Sequence, residues 1–73
     1  MKVILILVYD IPRSKGTLRK RIWRRLKNVG ASLEFGSSWL LQNSKKNLNV
    51  FKNIKKEIIK FGGKAKIIKG EIK

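Results

Sequence analysis

Val3-Ile4-Leu5-Ile6-Leu7-Val8-Tyr9-Asp10-Ile11-Pro12-Arg13 is the stretch that decides the fold of this 73-residue chain. From Val3 to Tyr9 no polar residue interrupts it. Such a run fits a strand covered on both faces, at the centre of a sheet. It ends at Asp10, the only aspartate present, and Pro12, lacking an N–H, stops ladder pairing. Two roles are open to Asp10. A carboxylate after a strand and before a proline is a common turn former. It can also hold Mg²⁺, an ion that keeps most of its waters and often takes only one or two carboxylates. Two Asp10 side chains facing each other across a dyad would share one ion and support phosphodiester hydrolysis.

One small domain, residues 1–73, is expected. A chain of this length buries only about 60% of the surface it exposes when unfolded, so it needs a tight core or a partner subunit. Cysteine and histidine are absent, which excludes disulfides, thiol chemistry, Ser-His-Asp catalysis and the usual zinc sites. Nineteen Lys and Arg against four acids give a formal charge of +15. A polyanion relieves that self-repulsion, and nucleic acid is the expected partner. Lys2 and the apolar run are too short for a spanning helix, and no small-residue cleavage site follows. A soluble cytoplasmic protein with no membrane partner is expected.

Outward from Pro12, Arg13 to Thr17 reads as a loop offering Ser14 or Thr17 as a helix N-cap. Leu18, Ile22, Leu26 and Val29 then recur as a single helical stripe, and Gly30 is the expected terminating glycine. At about 100° per residue, Lys20, Arg24 and Lys27 lie opposite the stripe, with Arg19, Arg21 and Arg25 flanking it. Ala31–Phe35 and Ser38–Leu41 read as two strands joined by a Gly36-Ser37 turn of type II′. A second helix is expected from Asn47 to Phe61, with Val50, Phe51, Ile54, Ile58 and Phe61 on one face and Gly62-Gly63 ending it. Ala65–Lys69 is the last strand, and Gly70 to Lys73 a short tail.

The order β-α-β-β-α-β predicts a ferredoxin-like α+β sandwich, a four-stranded antiparallel sheet with both helices on one face. Right-handed crossovers place the first and third strands centrally. The sheet's other face then lacks cover although the central strand is apolar there. A homodimer supplies that cover, with Tyr9 and Trp39 expected at the interface. Trp39 could equally fill the core.

The basic segment carries the functional reading. Arg13, Lys15, Arg19, Lys20, Arg21, Arg24, Arg25 and Lys27 crowd one stretch that holds all five arginines. Arginine's planar fork suits phosphate. A merely solvated helix face interleaves acids for i,i+4 pairs, yet residues 11–33 contain none. These eight residues are expected to contact nucleic-acid backbone. Trp23, about 100° off the core stripe, is expected to pack on the neighbouring helix, with base stacking as its other role. Ser38-Trp39-Leu40-Leu41 does not supply the strand signature of an RNA-recognition motif. Leu48 and Ile59 fall off the second helix's stripe, as scattered surface residues or a partner patch.

Val8-Tyr9-Asp10-Ile11-Pro12, followed by Arg19, Arg21, Leu26 and Gly30, resembles the opening of the small CRISPR-associated nucleases, the non-integrase partners in spacer acquisition. The resemblance implies a symmetric ferredoxin-like dimer with Asp10 as metal ligand and catalytic carboxylate at a Mg²⁺ site, and so an endoribonuclease or endodeoxyribonuclease. Phe35-Gly36-Ser37-Ser38-Trp39 stands where that family carries Gln-x-Ser-Val-Phe. Arg21 to Lys27, Gly30-Ala31, Trp39-Leu40-Leu41 and Gly62 to Ala65 are similar to the N-terminal domain of the chromate-resistance regulator ChrB, a kind of domain also found in the phenylacetate repressor PaaX. That likeness implies the same fold in a non-catalytic binding or regulatory role. The two agree on fold and differ on catalysis.

Overall fold

The apolar run forms β1 (Lys2–Asp10), which lies between two neighbours in a four-stranded antiparallel sheet. The computed structural model describes residues 2–34 and 38–72. After β1 come α1 (Gly16–Asn28), β2 (Ser32–Glu34), β3 (Ser38–Gln42), α2 (Lys45–Lys60) and β4 (Lys64–Ile72). The sheet order is β2-β3-β1-β4, the ferredoxin-like α+β arrangement, with β1 and β3 central as expected. β1 pairs with β3 from Ile4↔Gln42 to Val8↔Ser38, and with β4 along its whole length, from Lys2↔Ile72 to Asp10↔Lys64. The turn expected at Gly36-Ser37 lies outside the described residues. No helix among the described residues is long and apolar enough to cross a membrane.

Strand alternation divides β1 between two environments. Leu5 and Leu7 are fully buried and meet Trp39 and Leu41 of β3, Leu18, Ile22 and Leu26 of α1, and Phe51, Ile54 and Ile58 of α2 in one core. Each such side chain contributes about 1.5–3 kcal/mol on burial. Ile4, Ile6 and Val8 have the opposite parity and are only partly buried, with Leu40 of β3 and Ile68 of β4 beside them. Gly70 marks that face, for a Cβ there would lie 3.4 Å from Ile6 Cδ1 and 4.0 Å from Ile4 Cγ1. Among the described residues this face of the sheet has no second layer over it, and its centre is apolar, with Lys66 opposite Val8 at its margin.

Parity corrects the expected interface residues. Tyr9 shares the side of Leu5 and Leu7 and packs against the helix-side core. Trp39 pairs with Leu7 and is 1% exposed, so its surface is spent inside the chain and none remains for a partner. The bare face is built by Ile4, Ile6, Val8, Leu40 and Ile68 instead.

Both helices end in the same way. Gly30 and Gly62 take φ of 83° and 91°, the left-handed region that glycine enters without a Cβ penalty. The Gly30 and Ala31 N–H groups donate to Lys27 and Leu26 carbonyls, and those of Gly62 and Gly63 to Ile59 and Ile58, the paired bonds of a Schellman cap. Val29 and Phe61 thereby become capping residues, 38% and 40% exposed, and leave the stripes assigned to them. The starts also differ from expectation. α1 begins after Lys15 with no side-chain cap, whereas α2 begins earlier than Asn47 because Ser44 Oγ accepts from Asn47 N at 3.0 Å. Gly63 fits closely, since a Cβ there would come within 2.6 Å of Ile58 Cγ2 and 2.8 Å of the Asp10 carbonyl oxygen.

Candidate nucleic-acid interface

α1 carries two charged flanks with different partners. Arg21 and Arg25 turn toward α2, where Glu57 accepts from both, Arg21 Nη2 lying 2.8 Å from Glu57 Oε1. Arg21 also sits 5.7 Å from the Phe61 ring centroid. These are partly exposed pairs, worth about 0.2–1 kcal/mol each, but they commit two of the five arginines to joining the helices. The phosphate role expected of Arg21 and Arg25 is thus shared with a structural one. Arg13, Lys15, Arg19, Lys20, Arg24 and Lys27 are exposed. Their surroundings between residues 11 and 33 are free of acids.

Trp23 lies on this second flank and not against α2. Arg19, Trp23 and Lys27 follow one another at i, i+4 and i+8, a single line along the helix. Trp23 is 49% exposed, which corrects the expectation that it packs on the neighbouring helix. That flank borders Trp39 of β3 and Leu33 of β2. The Trp23 ring meets Trp39 edge to face, centroids 6.3 Å apart at 80°. Trp39 Nε1 in turn donates to Tyr9 Oη at 3.3 Å. Lys27 Nζ lies 5.1 Å from the Trp23 centroid, a cation–π contact of about 0.5–1 kcal/mol at an exposed site.

Between α1 and the ends of β1 and β3 these side chains enclose an open cleft of 750 Å³. Its apolar wall is Trp23, Trp39, Tyr9 and Leu33, and its rim is Arg19, Lys20, Arg24 and Lys27. Asp10, Ile11 and Gly16 also line it. Gly16 is the first residue of α1, a terminus with no side-chain cap and no acid in its first turn, so its partial positive charge adds to that of the rim. Sequence reasoning missed Leu33 and the openness of Trp23. The i+4 spacing of Trp23 from both Arg19 and Lys27 was the signal that could have found the second.

Asp10 is exposed at the last position of β1. Its parity is that of Ile4, Ile6 and Val8, and it pairs across the ladder with Lys64. Among the described residues no group of three or more His, Cys, Asp or Glu side chains could hold a metal ion. Comparison with protein-family models, with curated proteins and with solved structures finds no match.

Proposed function

We propose that this protein binds nucleic acid along its phosphate backbone, as a homodimer joined through the apolar sheet face. The observation that carries the reading is the outer flank of α1, where exposed cations run without an intervening acid. Binding of this kind releases condensed counterions, and its logarithmic salt slope is about −0.9 per phosphate on duplex DNA and about −0.7 on a single strand. If all six exposed cations of this segment engage, affinity falls about a thousandfold between about 50 and 200 mM salt. Filter binding or anisotropy across that range measures it, and an affinity indifferent to salt ends the proposal.

The resemblance to CRISPR-associated nucleases adds a second reading, Mg²⁺-dependent phosphodiester cleavage. The position of Asp10 favours it: the residue belongs to the sheet face that a second copy would cover, so a dimer could supply the second carboxylate that one chain lacks. Mg²⁺ bound there would polarise a phosphoryl oxygen or activate a water. The expected result is RNA or DNA cleavage by the wild type with Mg²⁺ and none by Asp10→Ala. Cleavage that survives the substitution removes Asp10 from the chemistry. A wild type that binds without cutting leaves the regulatory or scaffolding role implied by the ChrB likeness.

A further inference from the structure

We infer that the cleft between α1 and β3 takes an unpaired nucleotide, its base stacked against Trp23 and its phosphates on Arg19, Lys20, Arg24 and Lys27. This rests on the nucleic-acid reading above and adds the form of the polymer, a single strand.

A stacking platform needs a ring that is held in place and still open to solvent. Trp23 has both properties. It is half exposed, while it is held in a T-shaped contact by Trp39, a fully buried ring that is itself bonded to Tyr9. The other flank of α1 also has an open ring, Phe61, but there Glu57 holds Arg21 and Arg25, so its cations are already paired. Lys27 lies over the indole, but a lysine–aromatic contact at an exposed site is the weaker of the two attractions. An incoming base displaces the ammonium, which is then free to meet the adjoining phosphate.

Charge and size agree with such an occupant. Four cations rim an apolar wall, the combination that tracks a backbone while accepting any base face. The volume of 750 Å³ lies within the range of about 300–1,000 Å³ usual for small-ligand sites, sufficient for a nucleotide. A duplex cannot lay a base face on the indole unless that base leaves the stack.

The test is fluorescence titration of the full chain with oligothymidylate and oligouridylate of about eight nucleotides, the scale of one small single-strand module, and with a duplex of equal length. Single strands are expected to quench tryptophan emission and the duplex to leave it unchanged. Trp23→Ala should lower single-strand affinity about tenfold or more and leave duplex affinity alone, with Trp23→Phe recovering most of the loss. Circular dichroism verifies that each variant is folded. Should Trp23→Ala not fold, quenching of the wild type and retained affinity in Trp23→Phe decide the matter. Single-strand binding without quenching, or with unchanged affinity in a folded Trp23→Ala, overturns the cleft and leaves backbone binding standing. Failure of every polymer to bind overturns both readings. The two single strands distinguish a deoxyribose from a ribose polymer.

Discussion

Replacing Trp39 with alanine is expected to abolish the cooperative thermal transition or to lower its midpoint by roughly 15 °C or more. Trp39 is 1% exposed and stands where β3, α1 and β1 meet, against Leu7 across the ladder and the ring of Trp23. Truncating a buried tryptophan costs about 3–5 kcal/mol, because the void left behind collapses only in part. At about 0.05–0.15 kcal/mol per residue, a domain of 73 residues holds about 4–11 kcal/mol in total. Self-repulsion of a chain at +15 pulls the total toward the lower end. The Tyr9 hydroxyl also loses its donor. Melting followed by circular dichroism decides the matter, and a midpoint unchanged from the wild type would show that Trp39 is not part of the core.

Ile6→Lys is expected to convert a dimer into folded monomers. Ile6 sits at the middle of the bare face, between Ile4 and Val8 on its own strand and opposite Leu40 and Ile68 on its neighbours. A lysine there removes apolar area from the proposed contact. It also places an ammonium where its symmetry mate approaches, and a charge buried without a partner costs several kcal/mol. The monomer survives because Ile6 lies outside the helix-side core. Sedimentation should report twice the 8.5 kDa chain mass for the wild type and one chain mass for the variant, with unchanged helical signal. A wild type that sediments as a monomer at every concentration defeats the dimer. Any cleavage that uses two Asp10 carboxylates should disappear in Ile6→Lys, although Asp10 itself is untouched.

Element order, strand order and the helix-side core were legible because their signals are local and strong. An unbroken apolar run implies a central strand, and Leu18, Ile22 and Leu26 share one side of α1 whatever lies beneath them. The side of the sheet that holds the helices was not legible. β1 is apolar at both parities, so nothing in Val3–Tyr9 says whether Leu5 or Ile6 faces α1. Tyr9 was accordingly expected at the interface, and Trp39 was left between interface and core. Trp23 misled for another reason. Its angle from the core stripe is correct, but that angle points to either flank of α1, and only one flank has a neighbouring helix. β4 runs from Lys64 to Ile72, past the expected end at Lys69 and through Gly70. Opposite Ile4, Gly70 is a paired strand residue over which the Ile4 and Ile6 side chains lie. The basic segment was legible as charge alone. Its division between Glu57 and the open cleft depends on α2, more than thirty residues further along the chain.

The closeness of Gly63 to the Asp10 carbonyl bears on how β1 and β4 find their alignment. A strand polar on one face resists slipping by one residue, since the slip would turn its apolar set to water. β1 offers no such resistance, and β4 carries Ile67 and Ile68 side by side, one for each face. Of the core-packed positions of β4, that of Ala65 resists a slip, since either direction brings a lysine, Lys64 or Lys66, into its place. A slip that carried Lys64 into the place of Gly63 would drive its Cβ against Asp10 O and Ile58 Cγ2, where only a hydrogen fits. The opposite slip strains against the Gly63 N–H bond to Ile58 that ends α2. A missing side chain thus acts as a stop that helps set the register of the sheet, and with it the face on which Asp10 emerges.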